Sequence, residues 1–475
     1  MKVCLIAEGS YPYVTGGVSS WIQMLINSMP KNDFIVFAIG AEEKFKGIFK
    51  YNLPSNLIEI KECFLDSSND SRKKSKIVNY KIDEEDRNIF IDLITKSKVD
   101  WERTFSFINK YKIKSIREFL ISKDFYYIVE TAYKKINSNS SFIDFFWNYK
   151  SIIGTLLKVQ SNPIPYADIY HSVSTGYAGL IGSLARIKYK KPFILTEHGI
   201  YTREREEELI RSEHVKGHLK DLWINYFYSI SECTYKYADL VTTLFSKNKE
   251  IQMQLSCDKE KIRIIPNGVD IKSFENIKIK DSNDNSVNIG AIVRMVPIKD
   301  IKTMIQSFAI VKEEINNAKF CIIGPSDEDE EYFEECKMLV KLLELKDVEF
   351  TGKVNIKDYI GKMDVLVLTS ISEGQPLAIL EGMASKKPFV STNVGCAKEL
   401  LYGINDDLGD AGIICSVMDY ESIGKAIITI VSNDILMKEM GQIGYERVNK
   451  FYSIDKFKYE FENIYNEFGK VNILI

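Results

Sequence analysis

A short apolar run, followed by a polar loop and a helical pattern, constrains the fold of this chain most strongly. Residues 365–368, Val-Leu-Val-Leu, predict a strand that is buried on both faces, as in a parallel sheet. A polar loop follows, and apolar residues at helical spacing begin around Pro376. Because the first N–H groups of a helix have no intrahelical partner, we expect this corner to hold an anion.

Units of the same kind recur along the chain. Residues 3–7 predict a strand, residues 11–17 a glycine-containing loop, and residues 18–29 a helix. Alternation of strands and helices resumes near residue 169 and again near residue 287, which implies parallel sheets. A chain of 475 residues is long enough for more than one core, so the sequence predicts an α/β protein with at least two domains.

Changes in composition suggest where the domains begin and end. The polar, turn-rich stretch 281–286 separates an N-terminal domain, residues 1–275, from a C-terminal domain, residues 286–451. Residues from about 65 to 160 consist of a polar loop and aromatic-rich helical stretches, which predicts a helical insertion. Such an insertion can provide an acceptor or partner surface, but ordinary helix packing is the simpler interpretation. Residues 452–475 predict an amphipathic helix.

Charge and cysteine usage exclude several function classes. The net charge is −3, and the sequence has no arginine-rich patch with interleaved aromatic residues, so no nucleic-acid partner is expected. The eight cysteines are scattered without a C-x-x-C pair, which predicts reduced core residues of a cytoplasmic protein. No apolar run reaches the length of a membrane span, and the first run is too short for a signal sequence.

Two carboxylates near the predicted corner suggest which ligand it holds. Glu373 lies in the loop after the strand, and Glu381 lies eight residues later, on the second turn of the helix. Carboxylates accept hydrogen bonds from hydroxyl groups, so the corner suits a nucleotide sugar whose diphosphate lies on the helix end. A helix end contributes at most about 2 kcal/mol to anion binding, so nearby cations are also required.

The Glu373-x7-Glu381 spacing after a hydrophobic strand resembles the retaining glycosyltransferases of the glycogen-synthase-like superfamily, glycosyltransferase family 4. Residues 8–21, Glu-Gly-Ser-Tyr-Pro-Tyr-Val-Thr-Gly-Gly-Val-Ser-Ser-Trp, resemble more specifically the PelF branch of Pel exopolysaccharide synthesis. The resemblance implies the GT-B fold, in which two Rossmann-like domains face each other across a cleft. It also implies that the C-terminal helix returns to the N-terminal domain.

The resemblance further implies transfer of a sugar from a UDP-sugar to a growing polysaccharide, with no metal and no other cofactor. Inner-membrane synthase subunits are the implied protein partners. Two other functions stay open from the residues: a non-hydrolysing UDP-sugar epimerase, and a non-catalytic scaffold subunit of a polysaccharide synthase. The acidic run Asp327-Glu328-Asp329 has the form of a metal-binding Asp-x-Asp motif, but at the start of a predicted helix such acidity complements the helix dipole, and no metal site is expected.

Candidate site residues follow from the matching positions. The resemblance places Glu373 on the donor sugar, Glu381 on the ribose, and the Arg294 and Lys299 pair on the diphosphate, which they also stabilise as it leaves. The predicted catalytic residues are His198, Arg294, Lys299 and Glu373. The predicted donor-binding residues are Gly16, Gly17, Arg294, Lys299, Gly352, Val354, Glu373, Gln375, Leu377, Ala378 and Glu381. The predicted acceptor-binding residues are Thr175, Tyr201 and Arg203.

The sequence departs from the family pattern after the first glutamate. Gly374-Gln375-Pro376 stands where Gly-Phe-Gly is usual, and Pro376 has no N–H group, so Leu377 and Ala378 are expected to be the backbone donors. Gly382 lies inside the predicted helix, at a cost of about 1 kcal/mol relative to alanine.

Overall fold

The computed structural model describes residues 1–66, 79–95, 98–136, 140–212, 215–281, 283–404 and 406–471. These residues form two compact units. The first unit comprises Met1–Thr243, Asn248–Ile264 and Phe461–Ile475, and the second comprises Leu244–Lys247 and Ile265–Glu460. Within the described ranges, no helix is both long and apolar enough to cross a lipid bilayer.

The first unit is built on a seven-stranded parallel sheet. Its strands are β1 (Lys2–Glu8), β2 (Asp33–Gly40), β3 (Leu57–Phe64), β4 (Ile169–Ser172), β5 (Phe193–Glu197), β6 (Leu240–Thr243) and β7 (Ile262–Ile264). They lie in the order β3-β2-β1-β4-β5-β6-β7. This is the doubly wound order, in which the chain reverses direction across the sheet between β1 and β4.

The helices of the first unit are α1 (Gly17–Ser28), α2 (Glu84–Asp92), α3 (Trp101–Lys110), α4 (Ile116–Leu120), α5 (Lys123–Ile136), α6 (Phe142–Ser161), α7 (Tyr177–Tyr189), α8 (Tyr201–Arg211), α9 (His218–Tyr237) and α10 (Ser246–Gln254). Side chains cap several of them. Ser141, for example, accepts a hydrogen bond from the Asp144 N–H at the start of α6.

The second unit repeats the doubly wound order with six strands. They are β8 (Val287–Ile292), β9 (Ala318–Ile323), β10 (Val348–Phe350), β11 (Val365–Leu368), β12 (Phe389–Thr392) and β13 (Gly412–Cys415), in the order β10-β9-β8-β11-β12-β13. The following helices are α11 (Ile301–Glu314), α12 (Glu330–Leu342), α13 (Leu377–Ala384), α14 (Ala397–Tyr402), α15 (Tyr420–Val431), α16 (Asp434–Phe451) and α17 (Ile454–Val471). All strand pairs in both sheets are parallel, which confirms the predicted fold class.

Each sheet is the centre of its own core. The strand that opened the sequence analysis, β11, is buried at all four positions, as its apolar run predicts. All eight cysteines are buried and none forms a disulfide, which confirms their prediction as core residues. The part of α17 that begins at Phe461 belongs to the first unit, where the Tyr465 hydroxyl lies 2.7 Å from Nδ1 of the fully buried His171.

The aromatic residues of α2–α6 mostly pack against one another. Phe107 and Phe90 meet edge to face with ring centroids 4.7 Å apart, and Phe119 contacts both Phe107 and Phe125 at 5.5 Å. Ordinary helix packing therefore accounts for most of the aromatic content. Tyr126, Tyr127 and Trp147 are exceptions, since each is at least half exposed.

Gly382 is explained by the packing of α13 on the sheet. A Cβ atom at this position would lie 2.5 Å from Cε2 of Phe389 on β12 and 2.7 Å from Cδ1 of Leu366 on β11. The helix can therefore approach the strands this closely only with glycine at position 382, whose low helix propensity is tolerated for that reason.

We predict that Gly382→Ala destabilises the protein by about 1–3 kcal/mol, because overpacking outweighs the gain in helix propensity. The free energy of unfolding measured by chemical denaturation tests this. Gly17→Ala is the matched control, since an added Cβ there meets no atom within 4 Å. Equal stability of Gly382→Ala and the wild type would contradict this explanation.

Candidate functional site

The order of the strands in the second unit defines where a ligand can bind. The connections from β8 and β11, which are neighbours, run to opposite sides of the sheet. In open α/β sheets, ligands bind outside the carboxyl ends of the strands at such a point. The residues after β8 and after β11, 294–300 and 369–376, include four of the predicted site residues, namely Arg294, Lys299, Glu373 and Gln375.

The loops after β8 and β11 are joined by hydrogen bonds. The Thr369 hydroxyl donates to the carbonyl groups of Lys299, at 3.0 Å, and Asp300, at 2.9 Å. The Ile371 N–H donates to the Ile298 carbonyl, also at 2.9 Å. Two segments that are about 70 residues apart in sequence are thus fixed against each other.

Lys299 and Glu373 form an ion pair in this corner. The Lys299 ammonium donates to Oε1 of Glu373, and the two side chains are only 17% and 13% exposed. The Ser370 hydroxyl donates to the same carboxylate oxygen at 2.6 Å. Because an ammonium group has three donors, Lys299 can bind a further anion while it holds Glu373.

Arg294 also follows β8, but its side chain lies in an exposed ion pair. Its Nη1 atom is 2.7 Å from Oε2 of Glu328, and the side chains are 54% and 43% exposed. Exposed pairs of this kind contribute at most about 1 kcal/mol. The guanidinium can therefore exchange Glu328 for a stronger anionic ligand, such as a diphosphate, which it can hold through two parallel hydrogen bonds.

The neighbouring acidic residues serve α12. Asp329 is its N-cap and accepts a hydrogen bond from the Tyr332 N–H at 2.9 Å, and Glu330 and Glu331 occupy the first turn. The acidic run thus lies at the start of a helix, where it complements the dipole as predicted, and Asp329 also caps the helix. Among the described residues, no three His, Cys, Asp or Glu side chains are grouped as metal ligands would be.

The loop before α13 is tightly fixed. Pro376 is the N-cap residue, so Leu377 and Ala378 lie in the first turn, where N–H groups lack intrahelical partners. Oε1 of Gln375 accepts a hydrogen bond from the Asn267 N–H at 2.7 Å, so the side chain of Gln375 holds the backbone at Asn267. Gly395 (φ +52°) packs under this loop, where a Cβ would lie 2.0 Å from the Gly374 carbonyl oxygen.

Glu381 lies one turn further along α13. Burial raises the pKa of its carboxyl to about 7, and the charge of Lys357 opposes this rise only in part. Near neutral pH this group therefore exists in both protonation states, and can either donate to or accept from a hydroxyl group.

Gly352 and Val354 follow β10, at the same carboxyl edge of the sheet. Gly352 pairs with Gly324, the residue after β9, through an isolated antiparallel bridge. Val354 is half-buried against the core of the second unit. Both positions are thus fixed relative to the strands, as a surface that holds a flat base requires.

In the first unit, His198 lies directly after β5. Its ring meets the Trp21 ring edge to face, with the centroids 4.8 Å apart, and its buried Nε2 has no hydrogen-bond partner among the described residues. Burial lowers the pKa of His198 to about 4, so the imidazole is neutral at pH 7. A neutral imidazole with a free nitrogen can exchange a hydrogen bond with a sugar hydroxyl.

The residue before His198 was not predicted as part of the site, although it organises the loop. Glu197 is buried, and its Oε2 accepts hydrogen bonds from the Tyr235 hydroxyl at 2.6 Å and the Gln252 amide at 2.8 Å. Its Oε1 accepts from the Thr175 hydroxyl at 3.2 Å and the Tyr201 N–H at 3.3 Å. A polar residue beside His198 at a strand end was the signal in the sequence that could have identified it.

Of the three predicted acceptor residues, Arg203 has an exposed side chain, whereas Thr175 and Tyr201 are buried. The Thr175 hydroxyl is directed to Glu197 and Ser231. The Tyr201 hydroxyl donates to Oε1 of Glu8 at 3.1 Å. The side chains of Thr175 and Tyr201 thus support the loop, and of the three only Arg203 has an exposed side chain.

The two predicted glycines near the N-terminus leave an open backbone. Gly16 is the N-cap of α1 and Gly17 its first residue, and a Cβ at either position would meet no atom within 4 Å. The Gly16 N–H lies 3.4 Å from the Tyr51 hydroxyl.

Comparison with known proteins adds the following. Residues 1–260 match the family described as Domain of unknown function (DUF3492), and residues 272–447 match Glycosyl transferases group 1. The chain is 27% identical over 311 residues to the capsular polysaccharide biosynthesis glycosyltransferase CapM of Staphylococcus aureus, which covers 62% of this chain and 76% of CapM.

The chain is also 26% identical over 303 residues to the UDP-Gal:alpha-D-GlcNAc-diphosphoundecaprenol alpha-1,3-galactosyltransferase of Escherichia coli. This match covers 60% of this chain and 71% of that protein. Among solved structures, HepE of Anabaena in complex with UDP superposes with a TM-score of 0.61 at 14% identity, covering 98% of this chain and all of HepE. At this level of identity the likeness concerns the fold.

We predict that the pKa of Glu381 makes stability depend on pH. The folded pKa, about 7, lies above the usual 4.5, so wild-type stability falls as pH rises from about 4.5 to 7. The fall is up to about 3 kcal/mol for a shift of this size. Glu381→Gln does not titrate, so its stability relative to the wild type should rise over that range.

Chemical denaturation of both proteins at pH 5 and pH 8 measures this difference. Glu349→Gln, at an exposed position in the same unit, is the control and should behave as the wild type at both pH values. If the difference between Glu381→Gln and the wild type is the same at pH 5 and pH 8, the burial of Glu381 has no such effect.

Proposed function

Because the chain belongs to the family defined by the Domain of unknown function DUF3492 and carries a group 1 glycosyl transferase domain, we propose that it moves a hexose-type unit from a UDP-sugar onto a growing exopolysaccharide. The chain is a glycosyltransferase that uses a nucleotide-sugar donor in the synthesis of a polysaccharide or glycoconjugate. We further propose that the base is uracil, that the acceptor is an exopolysaccharide and that the transfer retains the anomeric configuration.

The observation that carries this proposal is the Lys299–Glu373 pair where β8 and β11 meet. A nucleotide sugar needs cations for its diphosphate and acceptors for its hydroxyl groups, and this corner holds both within one hydrogen bond of each other. Arg294 supplies a second cation, and the first turn of α13 supplies N–H groups.

Uridine is supported by the relatives. The galactosyltransferase of E. coli is named for a UDP-sugar, and HepE binds UDP in its crystal structure. The exopolysaccharide acceptor is supported by the similarity to CapM and by the resemblance of residues 8–21 to the PelF branch. With inner-membrane synthase subunits as partners, the reaction would take place at the cytoplasmic face of the membrane.

In the proposed reaction, the bond between the anomeric carbon and the diphosphate oxygen breaks while the acceptor hydroxyl oxygen bonds to the same face of that carbon. The hydroxyl proton passes to the departing phosphate oxygen. Arg294 and Lys299 stabilise the charge on that phosphate, so the reaction requires no metal. Glu373 and Glu381 hold the sugar and ribose hydroxyl groups.

We predict that Lys299→Ala and Glu373→Ala each lower the rate of transfer by at least about 100-fold, because each removes a group that acts on the donor. Each single change also leaves a poorly exposed charge without its partner, which destabilises the fold. The double variant should therefore regain stability without regaining activity. UDP release and denaturation midpoints measure the two effects, and a double variant that transfers sugar would refute the assignment.

We predict that substitutions of Arg294 and Glu328, which form the exposed ion pair, affect UDP affinity differently. Arg294→Ala should weaken UDP binding by about tenfold or more, since a charge-assisted hydrogen bond is lost. Glu328→Gln should leave the affinity unchanged or raise it, because its carboxylate competes with the diphosphate for Arg294. Calorimetric titration measures both, and weaker binding in Glu328→Gln would contradict this exchange of partners.

A further inference from the structure

The helical insertion borders an open cavity of about 770 Å³, and none of the predicted site residues lines it. It lies at the carboxyl end of the edge strand β3, and residues of the α3–α4 segment and of α6 form its other walls. Its lining residues include Phe64, Leu65, Ile113, Ser115, Trp147 and Ser151. A volume of this size suits a ligand as large as one or two sugar rings.

Basic side chains dominate the charged lining. The cavity is bordered by five of them and by two acidic residues, Glu43 and Glu62. The basic residues are Lys46, Lys114, Arg117, Lys150 and Lys158. Glu62 is already engaged, since its Oε1 accepts hydrogen bonds from the Tyr13 hydroxyl at 2.7 Å and the Gly47 N–H at 2.9 Å. The cavity therefore carries an excess of positive charge.

Arg117 and Lys150 both line the cavity and are close enough for their charges to interact. Neither forms an ion pair with any residue in the described part of the chain. Partial burial lowers the pKa of Lys150, and the charge of Arg117 lowers it further. An anion placed between them would relieve this repulsion.

Trp147 provides a flat apolar surface beside these charges. It is 59% exposed, although the insertion buries most of its other aromatic residues. The Lys150 ammonium lies 5.0 Å from the centroid of the indole ring. The apolar C–H face of a sugar ring packs on an exposed aromatic ring, and an acidic substituent of the same sugar would then lie near Lys150.

We propose that this cavity binds an anionic saccharide, with Arg117 and Lys150 holding its phosphate or carboxylate and Trp147 packing against the sugar ring. The site is distinct from the corner that contains Lys299 and Glu373. If the proposed transferase function is correct, the saccharide is part of the chain that the enzyme extends.

The test is calorimetric titration of the full chain with glucose 6-phosphate, glucuronate, glucose and inorganic phosphate. The sugar acids should bind at least about tenfold more tightly than glucose, because each gains charge-assisted hydrogen bonds. The comparison of glucose 6-phosphate with glucuronate identifies which acid the site prefers. Glucose that binds as tightly as both acids would overturn the proposal.

Variants assign the binding to this cavity. The double variant Arg117→Gln/Lys150→Gln should weaken the binding of the preferred sugar acid by at least about tenfold. Trp147→Ala should weaken the binding of the sugar acid more than that of inorganic phosphate. Lys134→Gln, at an exposed position on α5 outside the cavity, is the matched control and should bind as the wild type.

A second control separates this site from the donor corner. Sugar-acid binding should persist in Lys299→Ala, even though that variant is expected to lose transfer. If binding is lost in Lys299→Ala and retained in Arg117→Gln/Lys150→Gln, the anion binds at the donor corner and the proposal is wrong. The proposed transferase function would remain intact in that case.

Discussion

The ion pair between Lys299 and Glu373 is the interaction on which the site in the second unit depends. It joins the loop after β8 to the loop after β11, and it places a cation and a carboxylate at the point where ligands bind in doubly wound sheets. Lys299 forms an ion pair with Glu373, and Arg294 forms one with Glu328. The proposed binding of a diphosphate at this corner therefore requires these cations to exchange or share their partners.

Buried carboxylates organise the first unit in a different way. Glu8 ends β1 and accepts hydrogen bonds from the Ala178 N–H and the Tyr201 hydroxyl, while Glu197 ends β5 and accepts four. Burial raises the pKa of both groups, and the hydrogen bonds oppose that rise. These hydrogen bonds therefore fix the loop that carries His198, whose imidazole is uncharged and whose Nε2 has no partner among the described residues.

The fold could be predicted from the sequence because buried parallel strands appear as short apolar runs such as that of β11. The positions of Lys299 and Glu373 after two buried strands could also be predicted, because chain order alone puts Lys299 after β8 and Glu373 after β11. The pairing of these two side chains could not be predicted, because it depends on how two loops 74 residues apart meet. The internal role of the Thr175 hydroxyl and the basic cavity of the insertion likewise arise only from tertiary packing.

A crystal structure of the protein with UDP tests the central claim most directly. The account predicts that the diphosphate lies where β8 and β11 meet, with Nζ of Lys299 and the guanidinium of Arg294 within about 3.2 Å of its oxygen atoms. Glu328 should then no longer contact Arg294. A diphosphate bound elsewhere, with both ion pairs intact, would contradict the account.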